Sequence, residues 1–275
     1  METVNLSINQ TLVQLSLSDL ALAALVILLL MLFSYGSGAG LERKIFFSAI
    51  RATLQLLLIG LLLHSLFEHS NLLWVTLLST VMVLLAGREI QARQQYRLRG
   101  GWGYFSGTVA MFLSSMVTAL FALLIIIQHD PWYHPQYAIP LLGMLLGNTM
   151  NGISLGMDRL TSAIWQQRRI IEARLALGEP SQTAIRPLRD EAIRTGMIPI
   201  LNAMAAAGVI SLPGMMTGQI LSGTPPIEAV KYQILILFLI AGGTGLGVMA
   251  AVSISSRRFF DTRERLRTER IEPLK

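Results

Sequence analysis

Three groups of side chains in this 275-residue sequence have the types and spacing to do chemistry. The first group contains imidazole and carboxylate side chains, which suit several divalent metals. Its members are His64, Glu68, His69, His129, Asp130 and His134. His64 and Glu68 are four residues apart, a spacing that places both on one face of a helix. The pattern favours solvated loop ends and leaves a metal site as the alternative.

The second group consists of neutral polar, small and thioether residues, and it is the candidate lining of a solute pathway. Methionine sulfur is a soft metal ligand, although methionine more often serves as flexible packing. Between Gly143 and Gly156, Gly and Asn recur at four-residue spacing, which lets a neighbouring helix approach closely. Tight packing and a pathway are therefore equal alternatives here. The candidates are Asn148, Met150, Asn151, Asn202, Ser211, Pro213, Gly214, Met215, Met216 and Gln219.

The third group is a pair of polar residues inside an apolar run, Arg51 and Gln55. Their four-residue spacing places them on one face of a helix. A charged residue within a membrane helix is a functional candidate by default. The alternative is that the long Arg51 side chain reaches the nearby membrane surface.

The elements that must position these groups are membrane helices. The chain is 53% hydrophobic and only 14% charged, whereas roughly 25% of residues in an ordinary soluble domain are charged. A spanning helix needs about 20 mostly apolar residues. Residues 1–275 are thus predicted to be a single all-α transmembrane domain. The apolar runs predict seven spans at 17–35, 45–66, 71–87, 104–127, 137–157, 196–221 and 230–255. Within the span at 196–221, Ser211-Leu212-Pro213-Gly214 predicts a break in the helix.

The basic residues indicate how these spans are oriented. All of the 22 Lys and Arg residues except Lys231 fall on one side of the predicted spans. Because positive loops are retained in the cytoplasm, the N-terminus is predicted outside and the C-terminus inside. The basic character then reflects membrane topology, and no nucleic-acid partner is expected. The basic positions lie in the connections 36–44, 88–103 and 158–195, in the tail 256–275 and at Arg51.

The sequence predicts no catalytic residue. Gly152–Gly156 matches the G-x-S-x-G pattern of a serine nucleophile, but that pattern requires a strand-to-helix turn, and none is predicted here. All four histidines lie in predicted outside connections, so no imidazole base can reach Ser154. No P-loop occurs either, because none of the lysines follows a glycine. ATP-driven work would require a separate ATPase.

The connection 158–195 is predicted to be cytoplasmic and helical. An apolar stripe of Leu160, Ile164, Ile171 and Leu175 runs along an otherwise charged helix that ends at Gly178-Glu179-Pro180. A second helix is predicted from Ser181 onward. The stripe predicts a docking face for a partner, with a helix lying on the membrane surface as the alternative.

Several motifs resemble those of a known family. Glu172-Ala173 and Leu177-Gly178, followed by Ile198-Pro199, resemble the EAA coupling motif of ATP-binding cassette (ABC) permeases. The stretches GMLLGNTMNGISLGMDRL at 143–160, SLPGMMTGQIL at 211–221 and KYQI at 231–234 resemble the FetB-type iron-export permeases, a family that includes the plant aluminium-sensitive permeases. The R-A-x-x-Q stretch at Arg51, Ala52 and Gln55 is similar to that family's.

The resemblance implies a permease subunit in the bacterial inner membrane that exports iron or a related solute and contributes to metal homeostasis. It implies a homodimer with two cytoplasmic ATP-binding subunits, which would bind ATP and Mg. No cofactor is therefore expected on this chain, and membrane lipid is its other expected partner. Glu172, Ala173, Leu177 and Gly178 are the implied coupling residues. The alternative function is a secondary carrier for a metal or a small organic solute, without an ATPase.

Overall fold

The computed structural model describes residues 16–68 and 71–273. His69 and the side chain of Glu68, both predicted metal-ligand candidates, lie outside the described part, as do Leu274 and Lys275 of the predicted tail. The described residues form ten α-helices, one π-helical turn, one 3-10 turn and two short strands. The helices are α1 (Leu17–Gly36), α2 (Glu42–Glu68), α3 (Leu72–Ala92), α4 (Trp102–Phe121), α5 (Pro135–Gln166), α6 (Arg168–Ala176), α7 (Ser181–Ala184), α8 (Arg186–Ala206), α9 (Gly214–Leu221) and α10 (Pro226–Arg258). The strands are β1 (Tyr96–Leu98) and β2 (Ile271–Pro273), and the π-helical turn (Ala122–Ile127) extends α4.

Six of these helices are long and apolar enough to cross a membrane. They are α1, α2, α3, α4 with its π-helical turn, α5 and α10. The predicted all-α polytopic membrane protein is thereby confirmed, with the two short strands as a small addition.

The predicted span at 196–221 is interrupted, as its sequence predicts. The chain leaves α8 at Ala206, turns through residues 207–213 and resumes helix at Gly214. Gly208 has a φ of 80°, a conformation that suits glycine. Pro213 has no N–H with which to continue a helix. The sequence therefore predicted a break in this segment correctly, but the break begins four residues before the expected Ser211.

The described residues divide into two units. The first contains α1, α2 and residues 218–225, and the second contains residues 71–217 and 226–273. In the first unit, Ser16 and Asp19 cap the start of α1 reciprocally. In the second unit, α5 is the central helix and packs on α3, α4, α8 and α10.

The packing of α5 fixes the relative directions of its neighbours. A Cβ on Gly152 would meet the Gly196 carbonyl, and a Cβ on Gly156 would meet the Ala192 carbonyl, so α8 runs antiparallel to α5. The same two glycines face successive turns of α10, at Val248 and then Val252, so α10 runs parallel to α5. The chain must therefore return between α5 and α10. The antiparallel α8 makes this return, which supports a discontinuous seventh pass at 196–221.

The predicted C-terminal tail folds back onto the second unit. Helix α10 continues to Arg258, and Phe259 is fully buried. Strand β2 then pairs antiparallel with β1, with Leu98 opposite Ile271. The structure corrects the expectation of a simple basic tail from residue 256, because hydrogen bonds and buried apolar residues hold this segment.

Candidate functional site

Helices α5, α8 and α10 pack closely at Gly152, Gly156 and Gly196. A Cβ on Gly196 would lie 2.7 Å from the Gly152 carbonyl oxygen and 2.7 Å from Val248 Cγ1. Real Cβ atoms do not approach so closely, so these glycines allow backbone contact between α5 and α8. This ridge of the glycine pattern is therefore tight packing.

The side of α5 that carries Gly147, Asn148 and Asn151 is open, although one turn earlier a Cβ on Gly143 would lie 3.3 Å from Met82 Cε. A Cβ on Gly147 would meet nothing within 4 Å. The neighbouring Asn148 and Asn151 are exposed. Asn148 Nδ2 donates to the Met144 carbonyl of its own helix at 2.8 Å, while Asn151 Oδ1 accepts from Arg93 Nη1 at 2.6 Å. The two predicted alternatives, packing and an accessible polar face, thus apply to different sides of the same helix.

Arg93 was missed by the sequence reasoning. It follows the last residue of α3 and lies 3.8 Å from the Glu89 carboxylate, one helical turn earlier. Next to it, the backbone N–H of Gln95 donates to Asp158 Oδ1 at 2.6 Å. The four-residue spacing of Glu89 and Arg93 was a visible signal. Its pairing with Asn151 was not, because it joins residues 58 positions apart.

The remaining pathway candidates differ in exposure. Asn202 on α8 is exposed, and the antiparallel packing places it about 9 Å beyond Gly196 by helical rise. Asn148 lies about 6 Å from Gly152 in the same direction, so the two amides are at similar depths. Around the break, Ser211 and Gly214 are exposed, Met150, Pro213 and Met215 are half-buried, Met216 is buried, and Gln219 has a buried Oε1 without a hydrogen-bond partner.

The predicted coupling residues lie on the connector between α5 and α8. Ile171 is buried on one side of α6, whereas Glu172 and Ala173 are exposed on the other. Leu177 follows α6 and is 89% exposed, an unusual position for a leucine. Gly178 has a φ of 87° and nothing within 4 Å of an added Cβ, so it makes a turn whose outer side is free. The four residues share one accessible face.

Arg174 fixes the shape of this connector. Its Nε and Nη2 donate to the two carboxylate oxygens of Glu179 at 2.6 Å, and its Nη1 donates to the Ala184 carbonyl at 2.7 Å. Two-point pairing of this kind is among the stronger charge-assisted contacts. The turn at Gly178 is thereby held against α7.

The two predictions made from the apolar stripe on this segment, a docking face and a helix on the membrane surface, are both wrong. Leu160 and Ile164 belong to α5 and are fully buried, and Ile171 is 2% exposed. Leu175 is half-buried. Leu160, Ile164 and Ile171 pack inside the protein, because α5 extends to Gln166 before the chain bends into α6, whereas Leu175 lines a groove beside α6. The accessible face lies on the opposite side of α6.

Two of the candidate metal residues, His129 and His134, lie side by side. The rings of His129 and His134 lie 4.9 Å apart, and both Nδ1 atoms are buried without a hydrogen-bond partner. Asp130 and His64 are exposed. No group of three or more His, Asp or Glu side chains placed to hold a metal occurs within the described residues. A metal site here remains a prediction.

Arg51 and Gln55 both lie on exposed positions of α2. Their shared face is therefore present on the surface of the first unit.

The comparisons with known proteins identify the family. A family model described as "Uncharacterised protein family (UPF0014)" matches residues 17–260. The chain belongs to the UPF0014 family. This confirms the family resemblance drawn from the motifs. No solved structure matches the chain.

Three relatives indicate the range of the UPF0014 family. A UPF0014 membrane protein of Synechocystis sp. is 38% identical over 83% of this chain and 88% of that protein. The "Probable iron export permease protein FetB" of Escherichia coli is 28% identical over 90% of this chain and 93% of that protein. The "Protein ALUMINUM SENSITIVE 3" of Arabidopsis thaliana is 32% identical over 90% of this chain and 89% of that protein. This chain is likewise an integral membrane protein.

Proposed function

We propose that this protein is the membrane-spanning permease subunit of an ABC transporter, driven by ATP hydrolysis on a separate subunit. The observation that carries the proposal is the exposed face of α6 and its turn, where Leu177 is 89% exposed. An apolar side chain held outward on a connector between two core helices indicates contact with a partner protein. Glu172, Ala173 and Gly178 complete the face.

The location of this face explains how a partner could drive transport. The face joins α5 to α8, the two helices that meet at Gly152 and Gly196. ATP can bias a permease between inward- and outward-facing states only through a contact that differs between them. A displacement of α6 by the partner would be transmitted directly to α5, since Gln167 is the only residue between α5 and α6.

The solute route is proposed along the open polar face of α5, between two copies of this chain. Asn148, Asn151 and Asn202 would offer neutral amide contacts, and Met150 and Met215 would form flexible walls. The proposed cargo is iron or a related metal or solute, supported by the similarity to the probable iron export permease of E. coli. The protein would act at a bacterial inner membrane. ATP and Mg would bind to the two partner ATPase subunits.

The second candidate, a secondary carrier, is less well supported. A proton-coupled carrier usually keeps an acidic residue in the middle of a membrane span. On α5, Asp158 lies eight residues before the helix ends at Gln166 and accepts a hydrogen bond from a backbone N–H. This placement makes it a structural group at the predicted cytoplasmic end.

Co-purification from membranes tests the proposal. The tagged chain should retain a subunit that carries a P-loop, and Leu177→Asp should lose most of it because a carboxylate replaces an exposed apolar contact. Thr183→Asp is the matched control, since Thr183 is exposed on the same connector but outside the α6 face. Equal retention by both variants, at equal membrane expression, would show that the coupling face lies elsewhere.

A further inference from the structure

The C-terminal segment packs beside the proposed coupling face. Its turn, residues 261–266, forms one wall of a groove of about 530 Å³. The opposite wall is built from α6 and its turn, including Glu172, Ala176 and Gly178. Both walls belong to the second unit. Two segments that are 83 residues apart in sequence therefore meet at this groove, through Glu264 and Ser181.

The turn is held in place by its own hydrogen bonds. The Asp261 carboxylate accepts from the backbone N–H groups of Arg263 and Arg265 and from Arg265 Nε, all at 2.9 Å. These contacts lower the pKa of Asp261 to about 2, with the backbone hydrogen bond from Arg265 as the largest cause. The carboxylate is thus ionised at neutral pH and fixes the turn.

The turn is also tied to its surroundings on two sides. Glu264 has a φ of 57°, and its Oε2 accepts the backbone N–H of Ser181 at the start of α7 at 3.1 Å. On the other side, β2 pairs with β1 in the connection between α3 and α4. The segment therefore links the coupling connector to two further helices.

We propose that the turn 261–266 is a second half of the ATPase-docking surface, so that the partner seats in the groove between this turn and α6. This inference rests on the proposed function and names a further contact for the same partner. The groove adjoins the exposed Glu172 and the free side of Gly178, and it is therefore continuous with the coupling face. A partner that contacts Leu177 would meet the turn as well.

The chemistry of the groove favours a protein occupant. Its walls combine charges of both signs with apolar side chains, as a protein surface does. Glu172, Leu175 and Glu179 lie on one wall, and Arg263, Glu264, Arg265 and Leu266 on the other. A lipid tail would require an apolar lining, and small-molecule pockets are also mostly apolar. An anionic membrane surface is recognised by clusters of free basic residues. In this segment Arg265 and Arg267 pair with Asp261, and Arg270 donates to backbone carbonyls.

Site-directed photo-cross-linking can test this inference, because the chain has no cysteine to remove. Leu177→Cys, Arg263→Cys and Glu272→Cys would each be labelled with a benzophenone maleimide in inside-out vesicles that contain the assembled transporter. Leu177 reports the coupling face and Arg263 the groove wall. Glu272 is the control, because it is exposed in the same segment but lies in the β1–β2 ladder.

We expect Leu177→Cys and Arg263→Cys to give adducts with a P-loop-containing subunit after irradiation, identified by mass spectrometry. Adding ATP should change the yield of both adducts, whereas Glu272→Cys should give no such adduct. An adduct from Leu177→Cys without one from Arg263→Cys would overturn this inference and leave the proposed function standing. No adduct with an ATPase from either position would overturn the proposed function itself.

Discussion

The contact between α5 and α8 gives a prediction whose size can be worked from the structure. In Gly152→Ala, the new Cβ would lie 2.8 Å from Thr244 Cγ2 and 2.9 Å from both the Gly196 carbonyl oxygen and Val248 Cγ2. Relief requires the two helices to separate, because one of these neighbours is backbone. Overpacking of this kind typically costs about 1–3 kcal/mol. Alanine recovers about 1 kcal/mol of helix propensity, so the net loss is at most about 2 kcal/mol.

Gly147→Ala is the matched control for this prediction. It changes the same residue type in the same helix, but its Cβ would meet nothing within 4 Å. We therefore expect a gain of up to about 1 kcal/mol from helix propensity alone. Thermal unfolding in detergent, followed by size-exclusion chromatography, should give a lower midpoint for Gly152→Ala and an equal or higher one for Gly147→Ala. Equal midpoints for the two variants would refute the assignment of the Gly152 ridge to packing.

Three further predictions concern topology, the polar face and the C-terminal turn. Gln136→Cys should react with an impermeant maleimide outside intact cells and Gln95→Cys should not. Both residues are exposed in the structure, but they are predicted to lie on opposite sides of the membrane. Labelling of Gln95→Cys from outside would reverse the predicted orientation. Asn148→Leu should abolish protection of cells against excess iron while changing the free energy of unfolding by less than about 0.5 kcal/mol, because Asn148 is exposed and its amide donates within its own helix. Lost assembly would instead favour packing. Asp261→Asn at neutral pH should speed protease cleavage after Phe259, whereas the wild type should stay resistant down to pH 5. The pKa of Asp261 is lowered to about 2, so its ionised form stabilises the turn fully above the usual carboxyl pKa, and this stabilisation is lost only as the pH falls from there through about 2.

The membrane helices could be predicted because long apolar runs are sufficient evidence for them. The runs at 17–35 and 230–255 correspond to α1 and α10 in the structure. The break near Pro213 was also visible, because a residue without an N–H interrupts helix wherever it falls. These features are local, and each depends on residue types within a few turns.

The features that could not be predicted depend on which face of a helix meets which neighbour. Four-residue spacing described the two ridges of α5 equally well, and only the contact of Gly152 with Gly196 separates packing from an open face. The hydrogen bond from Arg93 to Asn151 and the pairing of β1 with β2 join distant parts of the chain. Strands of three residues also carry too short a pattern to be seen in sequence.

Inside-out membrane vesicles offer the most direct test of the central claim, that this chain moves its solute only when a separate ATPase drives it through the α6 face. The measurement is uptake of radioactive iron into vesicles that contain the chain and its ATPase, with and without ATP, each before and after the proton gradient is collapsed. We predict uptake that requires ATP and is lost in Leu177→Asp, since Leu177 is 89% exposed on the connector that follows α6. Iron uptake that proceeds without ATP and disappears with the proton gradient would contradict the account and establish a secondary carrier.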